Sequence, residues 1–202
     1  MARPKSITDK QLLISARDSF LRNGHGISIQ DIAKEIGISH AAIFQRYGSK
    51  RKLLIDALKP QHEFEWTQEM YHGPQTEADV HPQLTAICDL LHAYFAKHAP
   101  CMRVLQTAGV LPCEVFENGL PPSILAIQFV ADWIQKGIDR QVMRSCDPPS
   151  ISAMIVGALF AKSYLNNHVL EEQNHKLMLG STEHMISFIA TALLCHPTQK
   201  SN

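Results

Sequence analysis

Three consecutive cations are the clearest candidates for chemistry in this sequence. Lys50, Arg51 and Lys52 follow Ser49, a residue type that caps helices, and precede an apolar stretch that begins at Leu53. The pattern predicts a helix with three cations in its first turn, where the helix dipole disfavours each positive charge by roughly 0.3–1 kcal/mol. A bound anion would compensate, because free backbone N–H groups and Lys side chains together form a phosphate site. The alternative is a basic turn that is only solvated.

The residues before this cluster have the spacing of two short helices joined by a tight turn. Ser28 is placed to cap a helix that buries Ile32 and Ala33, and Gly37 supplies the left-handed conformation that ends it. Ser39 then begins a second helix. Its inward residues are Ala42, Ile43 and Tyr47, and its outward residues are His40, Ala41, Gln45 and Arg46. This plan predicts a helix-turn-helix, with an ordinary helical hairpin as the alternative.

The stretch from about Thr8 to Leu58 resembles the DNA-binding domain of the TetR/AcrR family of bacterial transcriptional regulators. The matching residues are Ala16, Phe20, Gly24, Ser28–Ala33, Gly37–Ser39, Ala42–Phe44 and Tyr47–Lys50. The resemblance implies an all-α fold with an N-terminal helix-turn-helix domain in residues 1–52. Residues 53–202 would then form a C-terminal helical bundle for effector binding and dimerisation.

The same resemblance implies which residues contact DNA. They are Ser28, Ser39, His40, Ala41, Gln45, Arg46, Tyr47 and Lys50. The family commonly has phosphate-binding tyrosines at or near the positions of Phe44 and Arg46; Phe44 lacks the hydroxyl, whereas Arg46 carries a full charge. We expect base readout from His40, Ala41 and Gln45, because a glutamine can form two hydrogen bonds with adenine.

Charge is distributed unevenly along the 202 residues, although the formal net charge is zero. Residues 1–59 hold eleven Lys and Arg against five Asp and Glu, a net charge of +6, and residues 60–202 hold eight against fourteen, a net charge of −6. This asymmetry favours a polyanionic partner for the first part of the chain.

The ends and cysteines of the sequence indicate a compartment. Residues 1–6 form a short basic arm with Arg3 and Lys5 and lack the apolar segment of a signal peptide. This arm could reach an adjacent minor groove, or could be a solvated tail. No run is long enough to span a membrane, and five scattered cysteines without a CxxC pair predict reduced thiols in a cytoplasmic protein.

The rest of the sequence predicts only helices. The expected segments are a connector from Lys50 to about Met70 that bends near Pro60, a helix from Pro82 to Ala99–Pro100, a short helix over Met102–Ala108, an irregular region over Pro112–Pro122, and helices over Ser123–Gln141, Pro149–Glu172 and Ser181–Cys195. The last two carry small and apolar side chains. The resemblance implies that they form the interface of a homodimer, and the alternative is bundle core. A helix-turn-helix on a symmetric operator needs two copies.

The resemblance also implies a small-molecule effector pocket in the helices from about His81 to Gln141. Its candidate residues are Cys88, His92, Gln128, Trp133 and Tyr164, each of which could instead be a satisfied polar group of the core. The predicted function is a ligand-responsive repressor that leaves a palindromic operator when the effector binds.

Two other classes of function remain open at this point. Cys88 and His92 lie one helical turn apart, and several histidines are near them in sequence, which leaves a Zn- or Cu-responsive regulator as an alternative. The sequence contains no tight set of metal ligands, so our prediction is that there is no metal site and no cofactor. Nucleophile and phosphate-loop motifs are absent from the sequence, so we do not expect an enzyme. The remaining alternative is a helical interaction protein without a DNA function.

Overall fold

The computed structural model describes residues 7–60, 70–116, 119–168 and 181–194. Within these ranges the regular secondary structure is helical, apart from one isolated bridge between Met143 and Leu194. The helices are α1 (Asp9–Asn23), α2 (Ile29–Ile36), α3 (His40–Tyr47), α4 (Lys50–Leu58), α5 (Glu77–Thr107), α6 (Pro112–Val115), α7 (Pro122–Asp139), α8 (Pro148–His168) and α9 (Thr182–Leu193). The predicted all-α class is confirmed.

The chain divides into two compact units. The first unit comprises residues 1–61 and 98–120, and the second comprises residues 62–97 and 121–202. The sequence placed a domain boundary between residues 52 and 53, which lies inside α4. Leu53 and Leu58 of this helix are fully buried in the core of the first unit, so by packing the whole of α4 belongs with the helix-turn-helix.

Helix α1 supports the helix-turn-helix from one side. It begins at the predicted capping box, in which the Gln11 backbone N–H donates to Thr8 Oγ1 at 3.2 Å and the Thr8 N–H donates to Gln11 Oε1 at 3.1 Å. One face of the helix, which includes Leu12, Ala16 and Phe20, is fully buried. Burying a large apolar side chain contributes about 1.5–3 kcal/mol, and this face therefore fixes α1 within the first unit.

The core of the second unit is built around Trp133 of α7. The indole is fully buried and donates its Nε1–H to Gln83 Oε1 at 2.9 Å, which satisfies its one polar group. Leu84, Leu91 and Ile155 lie in the same core. No helix formed by the described residues is long and apolar enough to cross a membrane.

The predicted helix break at Pro100 is wrong. Helix α5 runs without interruption from Glu77 to Thr107, although proline removes a backbone donor and usually kinks a helix. Buried apolar residues lie on both sides of Pro100: Leu91 and Phe95 precede it in one core, and Val104 and Leu105 follow it in another. We attribute the continuous helix to this packing on either side, which offsets the local cost of the proline.

Several other predicted bounds differ from the structure or lie partly outside it. Helix α4 ends at Leu58, where Lys59 is extended and Pro60 follows, and residues 61–69 of the predicted connector lie outside the described residues. The region expected to be irregular contains α6. The basic arm lies outside the described residues, as do Glu172 and Cys195, the predicted C-terminal ends of the last two helices. Helix α7 begins at Pro122, one residue before its predicted start.

The turn between α2 and α3 depends on Gly37. This residue has φ +78° and ψ 32°, the left-handed conformation that the sequence predicted. Its N–H and that of Ile38 both donate to the Ala33 carbonyl, at 2.9 and 3.0 Å, which closes the end of α2. The turn therefore fixes where α3 begins.

We predict that Gly37→Ala lowers the free energy of unfolding by about 1 kcal/mol. A Cβ at Gly37 would meet no atom within 4 Å, so the expected cost is that of placing an L-residue in the left-handed region. Gly26→Ala is the matched control, because Gly26 also has open space and does not have a positive φ. Urea denaturation of both variants at one protein concentration measures the difference. Equal midpoints would contradict the prediction.

Candidate nucleic-acid interface

Both helices of the motif begin at side-chain caps that the sequence predicted. Ser28 Oγ accepts the Asp31 backbone N–H at 3.1 Å and donates to the Asp31 carboxylate at 2.6 Å. Ser39 Oγ accepts the Ala42 backbone N–H at 3.1 Å. The two hydroxyls predicted to contact DNA thus accept hydrogen bonds from backbone N–H groups at the N-terminal ends of α2 and α3.

Helix α3 has one buried face and one exposed face. Ile43 is fully buried and Tyr47 is 8% exposed. The side chains on the opposite face are Ala41, Phe44, Gln45 and Arg46, all exposed, with His40 half-buried beside them. The His40 ring packs against Phe44 with centroids 4.6 Å apart, which limits the freedom of the imidazole. The face predicted for base readout is therefore on the surface of the first unit.

Tyr47 belongs to the core of the first unit more than to its surface. Burial raises the pKa of its hydroxyl, and the nearby Asp9 and Asp56 carboxylates raise it further. Its predicted role in DNA binding stays a prediction.

Arg46 points from α3 to the beginning of α1. Its Nη1 donates to the Ile7 carbonyl at 3.0 Å and lies 3.2 Å from Asp9 Oδ1. The sequence predicted a phosphate contact here. The guanidinium already has a carboxylate partner, which a phosphate would have to share or displace.

The three cations at the start of α4 have different environments. Lys52 Nζ lies 2.9 Å from the Asp56 carboxylate, and Arg51 binds Glu114. Burial raises the pKa of Asp56, but hydrogen bonds from Lys52 and Lys59 outweigh burial and lower it below its usual value. Lys50 forms no ion pair within the described part of the chain. Of the three predicted phosphate ligands, Lys50 is thus the one without an ion-pair partner among the described residues.

Arg51 forms several hydrogen bonds with other described residues of the first unit. Its Nε and Nη2 donate to the two carboxylate oxygens of Glu114 at 2.8 and 2.6 Å, and its Nη2 also donates to the Gly109 carbonyl at 3.0 Å. The arginine bonds, together with the Leu111 backbone N–H, lower the pKa of Glu114 to about 2. Sequence reasoning missed this pair because its members are 63 residues apart.

The residues predicted to form an effector pocket occupy different environments in the second unit. Cys88 and Trp133 are fully buried in the core, His92 is half-buried, and Gln128 and Tyr164 are exposed. Burial raises the pKa of the Cys88 thiol to about 12, which favours the neutral thiol over the thiolate that a metal requires. No group of three or more His, Cys, Asp or Glu side chains is placed to hold a metal ion in the described ranges.

The first unit therefore contains the parts of a helix-turn-helix: two capped helices, a left-handed turn between them, and an exposed face on the second helix. Residues 12–57 match the family model described as bacterial regulatory proteins of the tetR family. This match covers the helix-turn-helix part of the chain, which is thus similar to the DNA-binding domain of that family of regulatory proteins.

Solved structures extend the similarity to most of the chain. One is NalD, the secondary repressor of the MexAB-OprM multidrug efflux pump in Pseudomonas aeruginosa, with 13% identity, coverage of 91% of this chain and 94% of that chain, and a TM-score of 0.57. Another is the TetR family transcriptional regulator PfmR from Thermus thermophilus, with 16% identity, coverage of 91% and 97%, and a TM-score of 0.56. A third is a TetR family regulator from Pectobacterium atrosepticum, with 17% identity, coverage of 93% and 94%, and a TM-score of 0.52. At these identities the likeness concerns the fold. No curated protein matches the sequence.

We predict that Lys50→Ala weakens binding to all DNA duplexes and reduces the slope of log K against log salt by about one unit. The reason is the loss of one phosphate contact. Lys52→Ala is the matched control, because the Lys52 ammonium is already paired with Asp56. Fluorescence anisotropy with a labelled duplex over a range of NaCl concentrations measures both slopes. A larger loss for Lys52→Ala than for Lys50→Ala would contradict this assignment.

The Glu114 carboxylate should make stability depend on pH. Its folded-state pKa of about 2 lies below the ordinary value of 4.5, so its contribution is complete above 4.5 and is lost as the pH falls toward 2. The difference in urea midpoint between the wild type and Glu114→Gln should therefore be largest near neutral pH and shrink in acid. In an Arg51→Gln background the same substitution should show a much weaker pH dependence. A difference that is constant with pH in both backgrounds would refute this account.

Proposed function

We propose that this regulator is a homodimer that represses transcription by binding a palindromic operator and that a small-molecule effector releases it. The observation that carries the proposal is the exposed face of α3, where Ala41, Gln45 and half-buried His40 lie above the buried Ile43. A helix presented in this way fits the major groove, which is about 12 Å wide. The family match over residues 12–57 supports the same assignment.

Apolar side chains exposed on α8 and α9 support a homodimer. Met154 is 69% exposed and Phe188 is 75% exposed, and Phe160 and Tyr164 are also exposed on α8. Small residues lie among them on α8, where Gly157 has open space around its Cα. Large apolar groups beside small residues allow two copies of such a helix pair to approach closely, and covering them would remove the patch from water.

A dimer would set the form of the operator. A two-fold axis between protomers presents two copies of α3, so the operator should contain an inverted repeat with half-sites one turn of DNA apart, or a multiple of it. Ala41 can offer only apolar contact to a thymine methyl, whereas Gln45 can hydrogen-bond an adenine. These two residues are the proposed source of sequence preference.

The effector is proposed to bind the second unit. Family regulators are often ligand-responsive, which supports this part of the proposal. Release requires that the effector bind the DNA-free conformation more tightly, because a ligand shifts an equilibrium only by its difference in affinity for the two states. Half-buried His92 and exposed Gln128 are more accessible as contacts than the buried Cys88 and Trp133, whereas Tyr164 belongs to the apolar patch that the proposed dimer would cover.

Selection of bound duplexes from a random pool tests the function. The purified protein is incubated with the pool near physiological salt, and the recovered duplexes are sequenced. Enrichment of one inverted repeat is expected. Recovery of sequences without a repeat would contradict the dimeric operator, and failure to bind any duplex in a folded protein would contradict the DNA function.

We predict that Phe188→Glu converts the dimer into monomers and abolishes binding to the inverted repeat at concentrations at which the wild type is saturated. A charge on the proposed contact face would have to be desolvated on association. Ile14→Glu is the control, since Ile14 is 52% exposed on α1 of the first unit. Sedimentation velocity measures both variants. A dimeric Phe188→Glu protein would place the interface elsewhere.

A further inference from the structure

A cleft in the first unit is lined by α4 and α6 together. Its volume is about 570 Å³, and its lining comes from residues 49–59 and 113–116, all within this unit. That volume lies within the range of about 300–1,000 Å³ that is usual for small-molecule sites. His40, Ala41 and Gln45, which are predicted for base readout, do not line it. The cleft is therefore separate from the face of α3 proposed to bind DNA.

The charged side chains of the cleft leave an excess of positive charge. Two lysines share Asp56, whose Oδ2 lies 2.9 Å from Lys52 Nζ and whose Oδ1 lies 3.3 Å from Lys59 Nζ. Arg51 is paired with Glu114. Three cations thus line the cleft with two carboxylates, a formal charge of +1. Each ammonium has three N–H donors, and the two lysine side chains are 62% and 45% exposed, so both can bind a further acceptor.

The remainder of the cleft is mainly apolar. Ile55 and Val115 line it and also pack against the core of the first unit, and Phe116 lines it next to Val115. All three residues are half-buried, so each keeps surface that a ligand can cover. Covering apolar surface is favourable roughly in proportion to the area removed from water. The cleft therefore offers two kinds of contact, cationic groups for an acid and apolar side chains for a hydrocarbon body.

We propose that this cleft is a binding site for a small organic acid, whose carboxylate or sulfonate lies between Lys52 and Lys59 and whose apolar body covers Ile55 and Phe116. The acid group accepts charge-assisted hydrogen bonds, which are about twice as strong as bonds between neutral groups. A neutral apolar compound leaves the excess charge unmatched, and a small anion without an apolar body leaves the apolar surface exposed. The site is distinct from the effector site proposed in the second unit and does not depend on DNA binding.

Cys113 provides a local probe of the cleft. It lines the cleft and is exposed, whereas Cys88 and Cys101 are buried. Naphthalene-2-sulfonate, an organic acid with an apolar body, should slow the alkylation of Cys113 by neutral iodoacetamide in a saturable way. Methanesulfonate, which lacks the apolar body, and 2-naphthol, which lacks the acid, should protect much less at the same concentration. Mass spectrometry of the peptide that contains Cys113 measures the rate without interference from the other cysteines.

Matched variants locate the acid group within the cleft. Lys52→Gln/Lys59→Gln removes the cationic contacts and should weaken protection by naphthalene-2-sulfonate several-fold. Lys10→Gln/Lys34→Gln removes the same charge from exposed positions of α1 and α2 outside the cleft and should leave protection unchanged. Phe116→Ala should weaken protection through loss of apolar contact, and circular dichroism establishes that each variant is folded. Equal protection in the two double variants, or a wild type that is not protected, would overturn the proposal.

The charge of the cleft has a second readout that needs no ligand. Iodoacetate is anionic and iodoacetamide is neutral, and both alkylate the thiolate, so the ratio of their rates at Cys113 cancels any change in the thiolate population. Neutralising Lys52 and Lys59 should lower this ratio several-fold, and by more than neutralising Lys10 and Lys34 does. The difference should shrink as salt is added, because exposed charges are screened. A ratio that both double variants change equally would show that only the net charge of the unit matters and would overturn the proposed site.

Discussion

The pair between Arg51 and Glu114 is the interaction on which the geometry of the first unit depends most. It joins the start of α4 to α6, and Arg51 also satisfies the Gly109 carbonyl beyond the end of α5. A bidentate arginine pair fixes orientation as well as distance. Exposed ion pairs contribute little to stability, so its main effect is geometric. Leu53 holds α4 in the core, and the arginine fork links the first turn of α4 to Glu114 and to the Gly109 carbonyl. Lys50, which directly precedes Arg51, lies in the turn that these contacts hold.

Much of the local structure could be predicted because local sequence determines it. Thr8, Ser28, Ser39 and Ser49 each cap the helix expected of them, since the cap bond spans only three residues. Gly37 likewise adopts the left-handed conformation. The helix break expected at Pro100 does not occur, because buried residues on both sides of the proline hold α5 together. The local cost of a proline in a helix gives no information about such packing.

The candidate site was predictable only in part. The exposed and buried faces of α3 follow from helical periodicity, and the structure has them as predicted for Ile43 and Gln45. Helical periodicity does not show which cations form ion pairs, because their partners are distant in sequence. Arg51 binds Glu114, and Arg46 binds Ile7 and Asp9. A sequence pattern shows where positive charge is placed, but the fold determines how much of that charge is left for a ligand.

The ion pairs of the first unit use little of its net positive charge. Within its described residues, the cations engaged in ion pairs are Arg22, Arg46, Arg51, Lys52 and Lys59. Four of them pair with Glu35, Asp9 or Asp56, acids that the net charge of +6 in residues 1–59 already counts. Only Arg51 pairs with an acid outside that range, Glu114. Because these pairs lower the net charge by so little, the first part of the chain keeps the positive potential that attracts a polyanion.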